Sequence, residues 1–152
     1  MNNHKLKSHL AADPDRRNYS AMTLGKVVAD LHSKRRTGPK PYTIRGVITD
    51  VGMDTSRRLV TTLEMAAASD SLVKHMLKLL ENGQTIDIGN EATRAMLDTF
   101  ASNELLPLRK KDVAAIKALA EGIQSDADHY GLGNVRAGNV EMARNLIAEE
   151  GE

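Results

Sequence analysis

Apolar positions recur at intervals of three and four along most of this chain, a spacing that predicts amphipathic helices. The pattern is clearest from Ile86 to Ile123. There Asn90 stands ahead of the row Ala92, Ala95, Met96, Thr99 and Phe100, which predicts a helix capped by the Asn side chain. Asn103 to Leu108 break the row, and Pro107 keeps the first helix from running on. Val113, Ile116, Leu119, Ala120 and Ile123 then resume it as a second helix. Two stripes so close together must bury each other or share a partner, so the stretch predicts an αα-hairpin on which the remaining elements pack.

Upstream, Leu6 and Leu10 lie one turn apart in a short helix that Asp13-Pro14-Asp15 ends, and this segment reads as an N-terminal arm. Thr23 is positioned to cap a helix with Val27, Val28 and Leu31 turned inward, ending near Ser33. Lys34 to Pro41 combines basic residues with Gly38, Pro39 and Pro41 and reads as an irregular surface linker. Tyr42 to Asp50 is rich in β-branched residues, yet Ile44, Val47, Ile48 and Val51 fall at helical spacing. Helix is the reading taken, because a lone strand would leave its backbone groups unpaired.

From Asp54 a longer helix carries Leu59, Leu63, Ala66 and Ala67 to about Ser69, and Asp70 caps the next. That next helix holds the most apolar stripe of the chain, Leu72, Val73, Met76, Leu77 and Leu80, and is expected at the centre of the core; Asn82-Gly83 ends it. Ser125 to Tyr130 makes a short helix closed by Gly131, with Leu132 as the apolar residue after the cap. Asn139 starts a last helix with Val140, Ala143, Leu146 and Ile147 inward, before Glu149-Glu150-Gly151-Glu152 frays into solvent.

The expected fold is therefore all-α, a bundle of about seven or eight short helices built from αα-hairpins. The expected division is an N-terminal arm, helix and basic linker over residues 1–41, a helical core over 42–148 and an acidic tail over 149–152. A chain of 152 residues is the usual size for one core. With 3% aromatic residues and no Trp, aliphatic side chains, Met and Ala must fill that core. The absence of Cys excludes a disulfide framework, a thiolate zinc site and a cysteine nucleophile. No apolar run approaches the roughly 18 residues of a membrane span, and Met1 to Leu10 is too polar for a signal peptide.

Charge changes this picture more than composition does. The formal net charge is +1, but residues 1–46 carry ten Lys and Arg against three Asp, whereas residues 112–152 carry three against eight Asp and Glu. Oppositely charged ends can pair within one molecule or head-to-tail between neighbours. Arg109-Lys110-Lys111 opens a helix where cations oppose the positive end of its dipole, so Glu104, Asp112 or an acidic partner chain must compensate.

Candidate chemistry is sparse. None of the five histidines stands three or four residues from another, as a helical metal pair requires. Asp126, Asp128 and His129 cluster locally but read as a solvated helix surface. Gly131-Leu132-Gly133 lacks the preceding strand and full glycine spacing of a phosphate loop. Leu59 to Leu80 has only the generic pattern of a helix-turn-helix. No nucleophile–base pairing is readable. The expectation is a non-enzyme without catalytic residues, metal, cofactor or small-molecule substrate. The basic residues Arg16, Arg17, Lys34, Arg35, Arg36 and Lys40 have two readings, a contact for acidic protein or a phosphate-binding set.

Three phrases then stand out together: ADPDRRNYSAMT, DIGNEATRAMLDTFASNELLP and YGLGNVRAGNVEMAR. They resemble a group of small proteins encoded among the structural genes of tailed bacteriophages. The group's ADP-x-x-R-x-Y-x-x-M segment is matched by Ala12, Asp13, Pro14, Arg17, Tyr19 and Met22. Its closing LGLG-V-x-x-G-x-V-x-x-AR segment is matched by Gly131, Leu132, Gly133, Val135, Gly138, Val140, Ala143 and Arg144. Residues 34–58 depart from that pattern. The resemblance implies a virion component of the tail or its fibre attachment, present in the host cytoplasm during assembly and contacting other virion proteins and copies of itself. Under it, Leu6 and Leu10 of the arm, with Arg16, Arg17, Lys34, Arg35, Arg36 and Lys40, are the candidate partner-binding residues. The competing expectation is a small helical nucleic-acid-binding protein, either a phage regulator or a protein touching packaged DNA.

Overall fold

A computed structural model describes residues 3–151. Its helices are α1 (Asn3–Ala12), α2 (Leu24–His32), α3 (Ile44–Val51), α4 (Met53–Ala67), α5 (Ser71–Glu81), α6 (Glu91–Ser102), α7 (Lys110–Ala118), α8 (Asp126–His129) and α9 (Ala137–Glu150). A 3-10 turn spans Tyr19–Ala21. The strands are short: β1 (Lys34–Arg36), β2 (Pro41–Tyr42), β3 (Ile86–Asp87) and β4 (Gln124–Ser125). The protein is thus mostly helical, and among the described residues β1 pairs antiparallel with β4 and β2 with β3.

These elements form two units, and the division differs from the expected arm, core and tail. One unit combines residues 1–36 with 122–152, and the other is residues 37–121. Each has its own apolar cluster, where the composition led us to expect one core. Residues 36–41 and 121–124, through which the chain passes from one unit to the other, are mostly polar or Gly- and Pro-containing and supply little to bury.

The first unit is built from the two ends of the chain. In it α1 packs on α9, α2 packs on α8 and α9, and Leu6, Val27, Leu31, Val140 and Ala143 are fully buried together. The N-terminal segment is therefore a core helix and not an arm. Its helix ends where Asp13 adopts a left-handed conformation and its carboxylate accepts the Arg17 and Asn18 amides at 2.6 and 2.7 Å. Asn139 does not open the last helix. It sits in the first turn of α9 and accepts the Arg136 amide at 2.9 Å. Glu149 and Glu150 do not fray but end α9, and Glu150 pairs with Lys7. Of the expected acidic tail, Glu152 lies outside the described residues.

The second unit carries two αα-hairpins, α4 with α5 and α6 with α7, with α3 packed on α4 and α7. In this unit the two caps expected from the sequence, Asp70 and Asn90, both act. Asp70 accepts from the Leu72 amide at 2.9 Å and Asn90 from the Ala92 amide at 2.9 Å, while Thr43, not singled out in the sequence, caps α3 by accepting the Gly46 amide at 3.0 Å. The stripes are partly shifted. On α6 the buried residues are Leu97 and Phe100, while Ala92, Ala95 and Thr99 are exposed. α7 ends at Ala118, so Ile123 belongs instead to the run into β4.

α5 is not at the centre of the core: only Val73 and Leu80 are buried, and Leu72 is 80% exposed. Its five apolar positions span a wider arc than one neighbouring helix can cover. At the β2–β3 pair, the Ile88 amide bonds the Lys40 carbonyl at 3.0 Å. There Gly89 lies so close to Gly38 that a Cβ would fall 1.9 Å from the Gly38 carbonyl oxygen.

Candidate partner-binding surfaces

Within the first unit, the two oppositely charged ends of the chain meet at Asp126. Ser125 caps α8 by accepting the Asp128 amide at 3.1 Å, and the Asp128 carboxylate accepts the Ser125 hydroxyl at 2.9 Å. This fixes Asp126 as the first residue of α8, fully buried, beside β1. In a regular strand Arg35 and Arg36 would point to opposite faces. The register is broken between Lys34 and Arg36, however, and both side chains reach the same carboxylate. Arg35 Nη2 lies 2.8 Å from Oδ2 and Arg36 Nε lies 2.6 Å from Oδ1.

The cluster extends outward from there. Arg35 also grips Asp30 at 2.9 Å, Arg36 pairs with Asp15 and stacks over the Tyr130 ring at 4.9 Å, and Arg17 Nε stands 3.9 Å from Asp126. Tyr130 donates its hydroxyl to Asp15 at 3.1 Å. Burial alone would raise the Asp126 carboxyl pKa, but hydrogen bonds from Arg36 and Arg35 outweigh it and hold the group below its ordinary value. Asp15 follows the same balance through Arg36 and Tyr130. His9 is buried against Tyr130, ring centroids 4.4 Å apart, and burial lowers its pKa despite the nearby Asp126, Asp15 and Asp13.

The expected partner-binding set is scattered by this arrangement. Leu6 and Leu10 are in the core of the first unit, so neither is presented to a neighbour. Arg35, Arg36 and Arg17 face carboxylates. Arg16 and Lys34 remain exposed, Arg16 in a left-handed conformation. Lys40 belongs to the other unit, where its amide bonds Asp87 at 2.8 Å and its ammonium lies 5.9 Å from the Tyr42 ring centroid. The stretch read as an irregular linker holds β1 and the start of β2. Asp126, read as part of a solvated surface, is instead among the most buried acids of the chain, because strand pairing across about ninety residues delivers its partners.

In the second unit the compensation sought for Arg109-Lys110-Lys111 comes in part from Asp112. Its carboxylate accepts the Arg109 amide at 3.0 Å, the Thr55 hydroxyl at 2.9 Å and both Nε and Nη2 of Arg58 at 2.8 and 2.7 Å. The Arg58 guanidinium, ahead of these other bonds, lowers the Asp112 pKa to about 2. Arg94 and Lys117 on the same hairpin pair with Glu121 and Asp98. Arg109, Lys110 and Lys111 are exposed and carry no side-chain ion pair among the described residues.

Large apolar side chains also stand in solvent in this unit: Leu105 is 83% exposed, and Met53, Met65 and Leu79 are exposed with Leu72. The sequence pattern did not single out Leu105 or the outward turn of Leu72. The one available signal is that both adjoin a helix boundary, where a stripe loses contact with its neighbour. Among the described residues, no group of three or more His, Asp and Glu side chains is placed to hold a metal ion, and no helix is long and apolar enough to cross a membrane. Compared with known protein families, characterised proteins and solved structures, the chain matches none.

Proposed function

We propose that this chain is a structural component of a tailed-bacteriophage virion, associated with the tail or its fibre attachment, and that it works by holding neighbouring protein subunits. The observation that carries the contact reading is the inversion of what the two kinds of side chain do. Guanidinium groups that would serve phosphates are turned onto carboxylates, while Leu72, Leu105 and Met53 are left in solvent.

The phage assignment rests on the resemblance. Its two terminal segments are also one physical object in this chain. Arg144 donates to the carbonyls of Tyr19 and Met22, and Tyr19, Leu132, Val135, Val140 and Ala143 share a single apolar cluster. Residues so joined form a frame, with Tyr19 and Arg144 also lining a cavity of about 420 Å³ beside Leu10, Asp13 and Ile147. The nucleic-acid reading keeps only Arg16, Lys34 and Lys40 of its six cations away from carboxylates.

Size-exclusion chromatography with light scattering across a salt series, together with capture of purified tail and head proteins, tests the proposal. Salt-sensitive association with itself or with a virion protein is expected. A monomer at every salt concentration that captures no tail or head protein overturns it.

A further inference from the structure

The turn between α6 and α7 leads into three consecutive cations for which no ion pair is found among the described residues. Arg109, Lys110 and Lys111 follow one another at the positive end of the α7 dipole, where cations repel both each other and the helix. Asp112 is already committed to Arg58, Thr55 and the Arg109 amide. The other cations of the hairpin, Arg94 and Lys117, have acidic partners of their own. Beside this edge, Arg58, Glu104, Leu106, Pro107, Arg109 and Lys110 line a cleft of about 560 Å³, so one carboxylate stands there among three cations. Leu105, 83% exposed, stands next to it in sequence. Three consecutive cations outnumber Glu104 in this turn, and with Leu105 and Pro107 beside them the edge is complementary to carboxylates next to an apolar side chain.

We propose that the α6–α7 turn is a docking site for a short acidic segment of a partner protein. An apolar side chain of that segment seats on Leu105 and Pro107, and its carboxylates meet Arg109, Lys110 and Lys111. Naming the partner as protein rests on the contact reading above. Within the site itself, the apolar seat and the absence of any aromatic residue among those lining the cleft favour a peptide over nucleic-acid bases, which need ring faces to stack on.

The test is fluorescence anisotropy with a labelled oligo-glutamate peptide carrying one central leucine. The same peptide with serine in place of leucine and a single-stranded oligonucleotide of matched charge are titrated alongside. Wild-type protein is expected to bind the leucine peptide best, with affinity falling as salt rises. Lys110→Glu with Lys111→Glu is expected to weaken that binding about tenfold or more, and Leu105→Ser to abolish the preference for leucine over serine. All three positions are exposed, so the variants keep the fold, and unchanged melting curves verify it.

No peptide binding by wild-type protein, equal binding by the charge-reversed variant, or tighter binding of the oligonucleotide overturns the site. The outcome separates from that of the virion reading. Peptide binding by a protein that stays monomeric at every salt concentration and captures no virion protein leaves the site standing and removes the phage role. Capture of a virion protein equally by wild-type and charge-reversed protein removes the site alone.

Discussion

Asp126 and Asp112 are both buried carboxylates at the start of a helix, and both sit where arginine is supplied from a distant part of the chain. They differ in their surroundings. Asp112 has one arginine and a hydroxyl, so its hydrogen bonds are met within one small network. Asp126 is set among Asp15, Asp30 and three arginines, with the imidazole of His9 buried beside Tyr130. Protonating His9 there adds a cation to a site that burial makes unfavourable for it, which depresses its folded pKa below the ordinary value near 6.5. The unfolded chain therefore binds the proton first. Stability is full above about pH 6.5 and declines as pH falls from there towards the folded pKa of His9. Asp126 and Asp15, with depressed pKa values, lose their own contribution only at lower pH, as it falls through their folded values. Thermal melts between pH 8 and 5 are expected to show a falling midpoint, and His9→Gln is expected to flatten that fall. Parallel slopes for the two proteins would place the pH dependence elsewhere.

At the scale of elements, local signals were legible and long-range pairings were not. Asn90, Asp70 and Thr23 cap helices because a cap needs only its own next few residues. Gly83 and Gly131 end α5 and α8 in left-handed conformations for the same reason. By contrast β1 pairs with β4 and β2 with β3, partners with nothing in their local sequence to announce them, since two or three residues are too few to show an alternation. That is why Arg35 and Arg36 read as a solvated basic linker, and why residues 41–42 read as helix or loop. Gly89 separates the two kinds of information. Its neighbour Asn90 is a cap, and replacing it with alanine is expected to cost about 1 kcal/mol. Gly89→Ala drives a methyl into the Gly38 backbone, and since backbone does not yield as a side chain does, about 1–3 kcal/mol is expected. Urea denaturation of the two variants orders them. A Gly89→Ala protein as stable as wild type would mean that the β2–β3 pair opens at little cost.

Across the whole molecule, the opposite charges of the two ends are used inside the first unit, where Arg35 and Arg36 from one end hold Asp126 from the other and Lys7 holds Glu150. The chain therefore leaves this unit once, after Arg36, and returns once, at Gly122. Each unit closes its own gate: the Ile123 amide bonds the Arg36 carbonyl at 3.2 Å in the first, and the Gly38 amide bonds the Ala120 carbonyl at 3.0 Å in the second. The second unit is thus an insertion with adjacent ends, its own apolar cluster and its own buried ion pair at Asp112. An inserted segment of that kind has what a small domain needs to fold by itself. Residues 37–121 expressed alone are expected to give a helical circular-dichroism spectrum and one cooperative thermal transition. A non-cooperative melt would mean that its cluster is too small without the rest of the chain, as happens when a short domain buries too little surface. The same fragment retains Leu105 and Arg109 to Lys111, so once it is known to fold it isolates the exposed edge from every charge that the chain ends contribute.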